Sequence, residues 1–356
     1  MPFLNLHEAE ALAREKLPLR IYDYFAGGAN DEITLGANRR AFDALALRYR
    51  VLVDVSRRDL STTLFGSRVD APIVVAPMAF QRLAHADGEL ATARAAAGLG
   101  MVMTASTFAT VSIEEIRAAA TGPLWFQLYV NQDRGLTAEL VRRAAAAGYS
   151  ALVLTVDVAE IGRRERDERN GFSLPPDLRV VNFAPALSGP LQRPGEASGL
   201  ANFIRTIRDP GFTWKDLEWL RGLSELPLVL KGVVRADDAR RAVSAGAGGI
   251  VVSNHGGRQL DTAIPSLEAL PAIVAEVGDE ALVMVDGGIR RGTDVLKALA
   301  LGARAVMVGR PVLWGLALDG EAGARRVLEL LRNELDLAMA LAGTPCLTDI
   351  SPDLIA

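Results

Sequence analysis

An α/β fold, the closed (β/α)8 or TIM barrel, is what this 356-residue sequence predicts. Three observations carry the prediction. From about residue 71 onward, short apolar runs alternate with Ala-rich helical patterns, with one long interruption after the fourth run. The runs number eight, the count a closed barrel needs. Polar and glycine residues gather just past the ends of the runs, where folds built from parallel strands carry their chemistry. A doubly wound sheet is the structural alternative. The sequence holds no G-x-G-x-x-G and no G-x-x-x-x-G-K, which weakens a dinucleotide-binding or P-loop reading further.

The elements follow in order. Residues 1–70 read as a helical prelude with a polar turn at Gly27-Gly28-Ala29-Asn30-Asp31. The barrel, residues 71–356, places strands at 72–78, 101–106, 124–130, 151–157, 226–232, 249–254, 282–287 and 305–309. Helical patterns at 88–97, 136–147, 236–245 and 293–301 fill gaps between them, and the whole chain reads as one domain. Two helices are expected to open with capping boxes, Ser112 with Glu115 and Thr213 with Asp216. After the fourth strand the rhythm stops for about residues 158–212, rich in Pro, Gly, Arg and Asp. A loop of that length leaving the catalytic face predicts a lid.

Composition narrows the function. Half of the residues (50%) are hydrophobic, enough for a large core, and Lys+Arg 39 against Asp+Glu 43 gives a net charge of −4. That balance argues against a nucleic-acid partner. A single cysteine, Cys346, excludes a disulfide framework and a cysteine zinc site, and a packing role is expected for it. We read no metal site. The start lacks the layout of a signal peptide, and no apolar stretch is long enough to span a bilayer. A soluble, cytoplasmic protein without a membrane partner is expected.

The most informative stretch is Ser253-Asn254-His255-Gly256-Gly257-Arg258-Gln259-Leu260-Asp261, just past the sixth apolar run. A histidine there can take a proton, and an arginine can hold a carboxylate. The glycines let backbone approach a ligand closely. The other histidines read differently: His7 as a solvated residue of an amphipathic helix, and His85, just after the first strand, as a structural hydrogen-bonding group with a place in the site as the alternative. Other strand ends add Gln127 and Tyr129, Thr155 and Asp157 with Arg163-Arg164 soon after, and Lys231-Gly232. Any one could be structural. So many polar ends converging on one face are hard to explain by structure alone. The last two strands end in Asp286-Gly287-Gly288-Ile289-Arg290-Arg291-Gly292 and Gly309-Arg310, where barrels build phosphate sites. A tight turn is the bland alternative for Gly287-Gly288, and a phosphate site alone does not separate a flavin from a sugar phosphate.

Taken together, these residues resemble the FMN-dependent 2-hydroxy acid oxidase and dehydrogenase family over almost the whole chain. The most specific parts are residues 253–261 and 286–293, supported by Phe126-Gln127-Leu128-Tyr129 and Leu154-Thr155-Val156-Asp157. The resemblance implies FMN in the barrel mouth. Pro77, Met78 and Ala79, with Ser106, Gln127, Thr155, Lys231 and Ser253, would hold the ring and ribityl chain. Asp286, Gly287, Gly288, Arg290, Gly309 and Arg310 would take the ribityl and phosphate end. It also implies that Arg164 and Arg258 clamp the substrate carboxylate, and that Tyr24 and Tyr129 hydrogen-bond the carboxylate and the 2-hydroxyl. His255 would be the base, Asp157 its orienting partner, and Lys231 a stabiliser of negative charge on the flavin.

One departure bears on substrate. Where glycolate oxidase has tryptophan, this chain has Phe108 in Ser106-Thr107-Phe108, and Phe80 follows the first strand. Ala79 stands where mandelate dehydrogenase has glycine, and the 158–212 segment lacks that enzyme's apolar membrane insertion. The pattern is most similar to the hydroxymandelate oxidase branch. The expected reaction is oxidation of an (S)-2-hydroxy acid, an aromatic one such as mandelate or 4-hydroxymandelate, with O2 reduced to H2O2. A homotetramer or octamer is implied by the same resemblance. The rivals are a dehydrogenase of this fold feeding a quinone or cytochrome, an FMN barrel isomerase, and a non-catalytic flavin-binding protein. Two arginines beside His255 argue against the isomerase. A complete catalytic set argues against the last.

Overall fold

The eight apolar runs become eight parallel strands, and they close. The computed structural model describes residues 3–175, 177–183 and 208–356. Two short strands, β1 (Thr62–Leu64) and β2 (Ser67–Val69), pair as an antiparallel hairpin. The others are β3 (Ile73–Val75), β4 (Val102–Ser106), β5 (Leu124–Leu128), β6 (Ala151–Thr155), β7 (Leu228–Val233), β8 (Gly249–Val252), β9 (Leu282–Asp286) and β10 (Ala305–Val308). They run in chain order around the barrel, and β10 returns to β3 with Val306 opposite Ile73 and Val308 opposite Val75. This is the predicted fold. The first strand is shorter than expected because Pro72 and Pro77 lack the N–H a ladder needs.

Strand sequences are apolar on both faces because both faces are covered. Val74, Val102, Trp125, Val153, Val229, Val251, Met284 and Met307 fill the barrel interior. Their neighbours, among them Ile73, Met103, Phe126, Leu152, Leu230, Ile250, Val283 and Val306, pack outward in the larger core shared with the helices. Helices Gly88–Ala97, Arg134–Ala146, Ala236–Ser244 and Gly292–Ala300 match the expected positions to within two residues. Ser112 and Glu115 form the expected capping box. Thr213 and Asp216 form theirs as well, but it opens a 3-10 turn, and the helix Leu217–Arg221 follows. The final helix, Arg310–Ala342, bends at Gly320, which has φ 53°. No helix among the described residues is long and apolar enough to cross a membrane.

Three expectations need correction or limits. The prelude is helical only to residue 43, through Leu6–Lys16, Leu19–Ala26 and Ile33–Asp43. The hairpin that follows escaped the sequence reading because Phe65, at φ 45°, is an unusual residue for a left-handed turn position. Cys346 is exposed and not packed. It begins the 3-10 turn Leu347–Asp349, so its place is set by a chain reversal and not by the core. Residues 176 and 184–207 of the expected lid lie outside the described residues. The described flanks do run over the strand ends: Phe172 stacks on Tyr24 at 4.3 Å and Phe183 lies 5.7 Å from Phe108.

The hairpin closes the end of the barrel opposite the polar strand termini. Leu64 and Val69 join the interior cluster, and Phe65 sits edge-on to Trp125 at 5.5 Å. Gly249, at the start of β8, makes room for it: a Cβ there would lie 2.9 Å from the Phe65 ring. Removing a fully buried phenylalanine side chain costs about 3–5 kcal/mol. Phe65 is only partly buried. We therefore expect Phe65→Ala to cost about 2 kcal/mol in urea unfolding. An unfolding midpoint equal to that of the wild type would show that the hairpin does not support the barrel floor.

Candidate active site

The chain leaves β8 through three consecutive left-handed residues, His255 (φ 59°), Gly256 (64°) and Gly257 (75°). For the non-glycine member that conformation costs about 1–3 kcal/mol and must be held by its surroundings. The His255 N–H donates to Ser253 Oγ at 3.0 Å, and its Nδ1 lies 2.9 Å from Asp157 Oδ1. A proton on Nδ1 shared with the carboxylate leaves Nε2 free to accept another. Burial pushes the His255 pKa below its ordinary value, while Asp157 pulls it back up. Burial raises the Asp157 carboxyl, but His255 and Lys231 outweigh it and hold that group below the usual carboxylate range.

Tyr24 comes from the prelude, outside the barrel, and the Ser253–Asp261 stretch docks it. Asp261 accepts N–H groups of Asp31, Ile33 and Thr34 at 3.1, 3.3 and 2.8 Å, satisfying the start of helix Ile33–Asp43. The Asn254 and Asn38 amides exchange two hydrogen bonds of 2.8 Å. Gly257 must be glycine because a Cβ would lie 2.5 Å from the Leu35 backbone nitrogen. Arg258 then lies under the Tyr24 ring at 5.4 Å and donates to Gly27 O at 2.8 Å. Burial and the neighbouring Arg164 push the Arg258 pKa down to about 10. Arg164 shares the pocket, and its Nε is buried without a hydrogen-bond partner. Arg163 next to it is exposed and pairs with Glu168 at 2.8 Å. Two guanidinium groups facing one pocket suit a planar carboxylate.

A second polar set lines the same cavity, from Pro77, Met78 and Ala79 round to Gly309 and Arg310. Gln127 Nε2 donates to Thr155 Oγ1 at 3.1 Å, and Ser106 Oγ donates to Gln127 Oε1 at 3.2 Å. Lys231 donates to Ser253 Oγ at 3.0 Å and pairs with Asp286 Oδ2 at 2.8 Å. Burial lowers the Lys231 pKa, but Asp286 and Asp157 reverse that and raise it. Gly287 and Gly288 follow at φ 92° and 87°, exposing their backbone. Arg310 is fixed by Phe25, Gly256 and Gly27 carbonyls, each at 2.9 Å. Burial, with Arg258 and Arg290 close by, brings its pKa down to about 9. Burial lowers the Arg290 pKa too, against Glu10 at 3.6 Å. Partly buried cations beside an open glycine backbone favour a phosphate.

Of the residues expected at the site, Asp157 and Ser253 do not line the cavity. They stand directly behind His255 and Lys231. Other contributors were given no role by the sequence. Gln259 donates to Asp157 O at 3.0 Å and Glu160 O at 2.7 Å and accepts from Gly162 N at 3.2 Å, pinning the loop after β6. Val158 and Ile161 of that loop line the cavity, as do Phe25 and Leu313. Apolar residues in a loop carry no functional pattern until the fold closes around them.

Comparison with known proteins agrees with this geometry. Residues 13–356 match the FMN-dependent dehydrogenase family. An L-lactate oxidase from Nostoc sp. is 55% identical, over 99% of this chain and 98% of its own. The glycolate oxidase of Spinacia oleracea is 48% identical, over 100% of this chain and 96% of its own. A crystal structure of mandelate oxidase with (S)-4-hydroxymandelic acid superposes with a TM-score of 0.94 at 47% identity, covering 99% of this chain and 98% of the other. The cradle fits FMN: Asp286 Oδ1 is buried with no partner, an acceptor awaiting a hydroxyl, beside the Gly287-Gly288 backbone and two partly buried arginines. The chain belongs to the FMN-dependent dehydrogenase family.

Proposed function

We propose that this enzyme oxidises an aromatic (S)-2-hydroxy acid, of the mandelate or 4-hydroxymandelate kind, to the 2-oxo acid with release of H2O2. The observation that carries the 2-hydroxy acid part is the His255–Asp157 pair facing Arg164 and Arg258 in the FMN cavity. Arg258 and Arg164 grip the carboxylate and so fix C2 and its hydroxyl. His255 Nε2 takes the hydroxyl proton, and Asp157 stabilises the imidazolium that results. Tyr129 donates to the substrate oxygen as charge gathers there, and Tyr24 donates to the carboxylate. FMN, when bound, would take the C2 hydrogen together with its bonding electron pair, and those two electrons with the two substrate protons would go to O2 to give H2O2. Lys231, Ser106, Gln127, Thr155 and Ser253 would hold its ring, with the Pro77–Ala79 backbone on one side. Asp286, Gly288, Arg290 and Arg310 would hold its ribityl and phosphate end. Equal turnover with O2 and with an artificial acceptor would support the oxidase; loss of peroxide release would favour a dehydrogenase feeding a quinone or cytochrome.

The aromatic part rests on the pocket wall. Phe108 lines the cavity with Phe80 at 6.2 Å and Tyr129 at 5.3 Å. A phenylalanine there leaves more room than a tryptophan, and aromatic pairs add about 0.5–1.5 kcal/mol beyond area burial. A second reading is a small acid, since lactate and glycolate name the substrates of the relatives from Nostoc and Spinacia.

Three measurements test these readings. His255→Ala should slow anaerobic flavin bleaching by about 10²–10⁴-fold while FMN stays bound. A loss below tenfold would assign the proton to another group. Bleaching by the wild type should rise with pH through the lowered His255 pKa. Asp157→Asn should lower the plateau and move that limb to more acid pH, because the carboxylate that raises the imidazole pKa is gone.

Arg258→Lys keeps the charge but loses the planar fork. It should cut kcat/KM by about 10–150-fold, the equivalent of one charge-assisted hydrogen bond. An unchanged value would remove Arg258 from substrate binding.

For substrate choice, (S)-mandelate should exceed L-lactate and glycolate in kcat/KM by at least about tenfold. Phe108→Trp should shift the ratio back toward the small acids. A wild-type preference for lactate or glycolate, or a ratio untouched by Phe108→Trp, would select the second reading.

A further inference from the structure

Tyr129 carries a cation on its ring that none of this chemistry uses. Arg208 is buried, 7% exposed, and its guanidinium carbon lies 4.9 Å from the Tyr129 ring centroid. Its Nε has no hydrogen-bond partner. Burying a guanidinium is costly unless something meets the charge. Here the ring face does so, with Asp157 and Glu160 adding attraction.

The placement is built by several contacts. Arg208 bridges antiparallel to Asn131, two residues past Tyr129, and the Asp209 N–H donates to Val130 O at 3.1 Å. The Asp209 carboxylate pairs with Arg134 at 2.7 Å, and Arg134 in turn lies over Trp219 at 4.7 Å. The chain returning to the barrel is thus stitched to the exit of β5, and Arg208 comes down on the face of one particular ring. Tyr129 also lines the substrate cavity. Burial raises its pKa, and Arg208 is the foremost charge acting the other way.

We propose that Arg208 is a positioning residue for the reaction: it fixes the Tyr129 ring and makes its hydroxyl a stronger donor to the substrate oxygen. This rests on the reading that Tyr129 hydrogen-bonds the 2-hydroxyl. A cation against the π face draws the phenol toward its ionised form, and a more acidic phenol donates more strongly. The benefit grows as His255 removes the substrate proton and charge gathers on that oxygen. It therefore belongs to the transition state and should appear in kcat more than in KM.

A double-mutant cycle on the FMN-loaded enzyme tests this, read as the anaerobic bleaching rate at saturating substrate, with whichever of (S)-mandelate and L-lactate the wild type turns over faster. Arg208→Met should slow bleaching by about tenfold with KM nearly unchanged. In a Tyr129→Phe background the same change should cost less than about twofold, because the hydroxyl it acts on is gone. Arg208→Lys, which keeps the charge without the flat face, should lose less than Arg208→Met. If the methionine variant fails to hold FMN, the lysine variant in the same cycle decides. Equal losses in both backgrounds, or no loss from Arg208→Met in the wild type, would overturn the role of Arg208 alone. A Tyr129→Phe enzyme that bleaches at the wild-type rate would overturn the Tyr129 reading, and the Arg208 proposal with it.

Discussion

The contact between His255 and Asp157 joins the ends of two strands that are not neighbours. β7 lies between β6 and β8, and the Asp157 side chain must pass its end to reach the imidazole. Gly232 makes that passage. A Cβ there would lie 2.5 Å from both Cβ and Cγ of Asp157, and the residue sits at φ 109° where the β7–β8 register shifts. Any side chain at 232 would take the space of the carboxylate. One glycine therefore decides whether His255 has its partner; the tautomer follows from that partner, which also opposes the fall in the His255 pKa that burial causes.

The second constraint is charge. Arg258, Arg290 and Arg310 lie close together, each partly buried, and each has a pKa pushed down by lost hydration. Arg258 and Arg310 are met mainly by main-chain carbonyls, both drawing on Phe25 and Gly27. Carbonyl dipoles orient a guanidinium without cancelling its charge. A site arranged this way is stabilised by anions that meet those guanidinium groups. Lys231 differs, since Asp286 neutralises it at 2.8 Å and it is held as a polar group at the centre of the cavity.

The prelude matters because it closes this arrangement from outside the barrel. Asp261, Asn254 and Gly257 all lie on one turn, and all three grip helix Ile33–Asp43 or its start. The turn that presents His255 and Arg258 is also the one that fixes Tyr24 above Arg258. His255, Arg258 and Tyr24 are positioned by one stretch of nine residues. A change there acts on the fold and on the site together.

What the sequence determined by itself was the barrel, its strand order and most of the cavity lining. Those features are written locally: apolar runs for strands covered on both faces, and polar residues at their ends, which a barrel collects on one rim. His255, Arg258, Lys231 and Asp286 were legible for that reason. The tertiary structure decided what depends on residues far apart in the chain. Asp157 reaches His255 only across Gly232, Asp261 serves a helix more than two hundred residues earlier, and Arg208 lands on Tyr129 after a long excursion. The hairpin at the barrel floor stayed hidden because Phe65 takes a backbone conformation that its side chain disfavours and that packing against Trp125 sustains. Local patterns reveal which face a residue occupies; which partner it meets there is settled when the strands close.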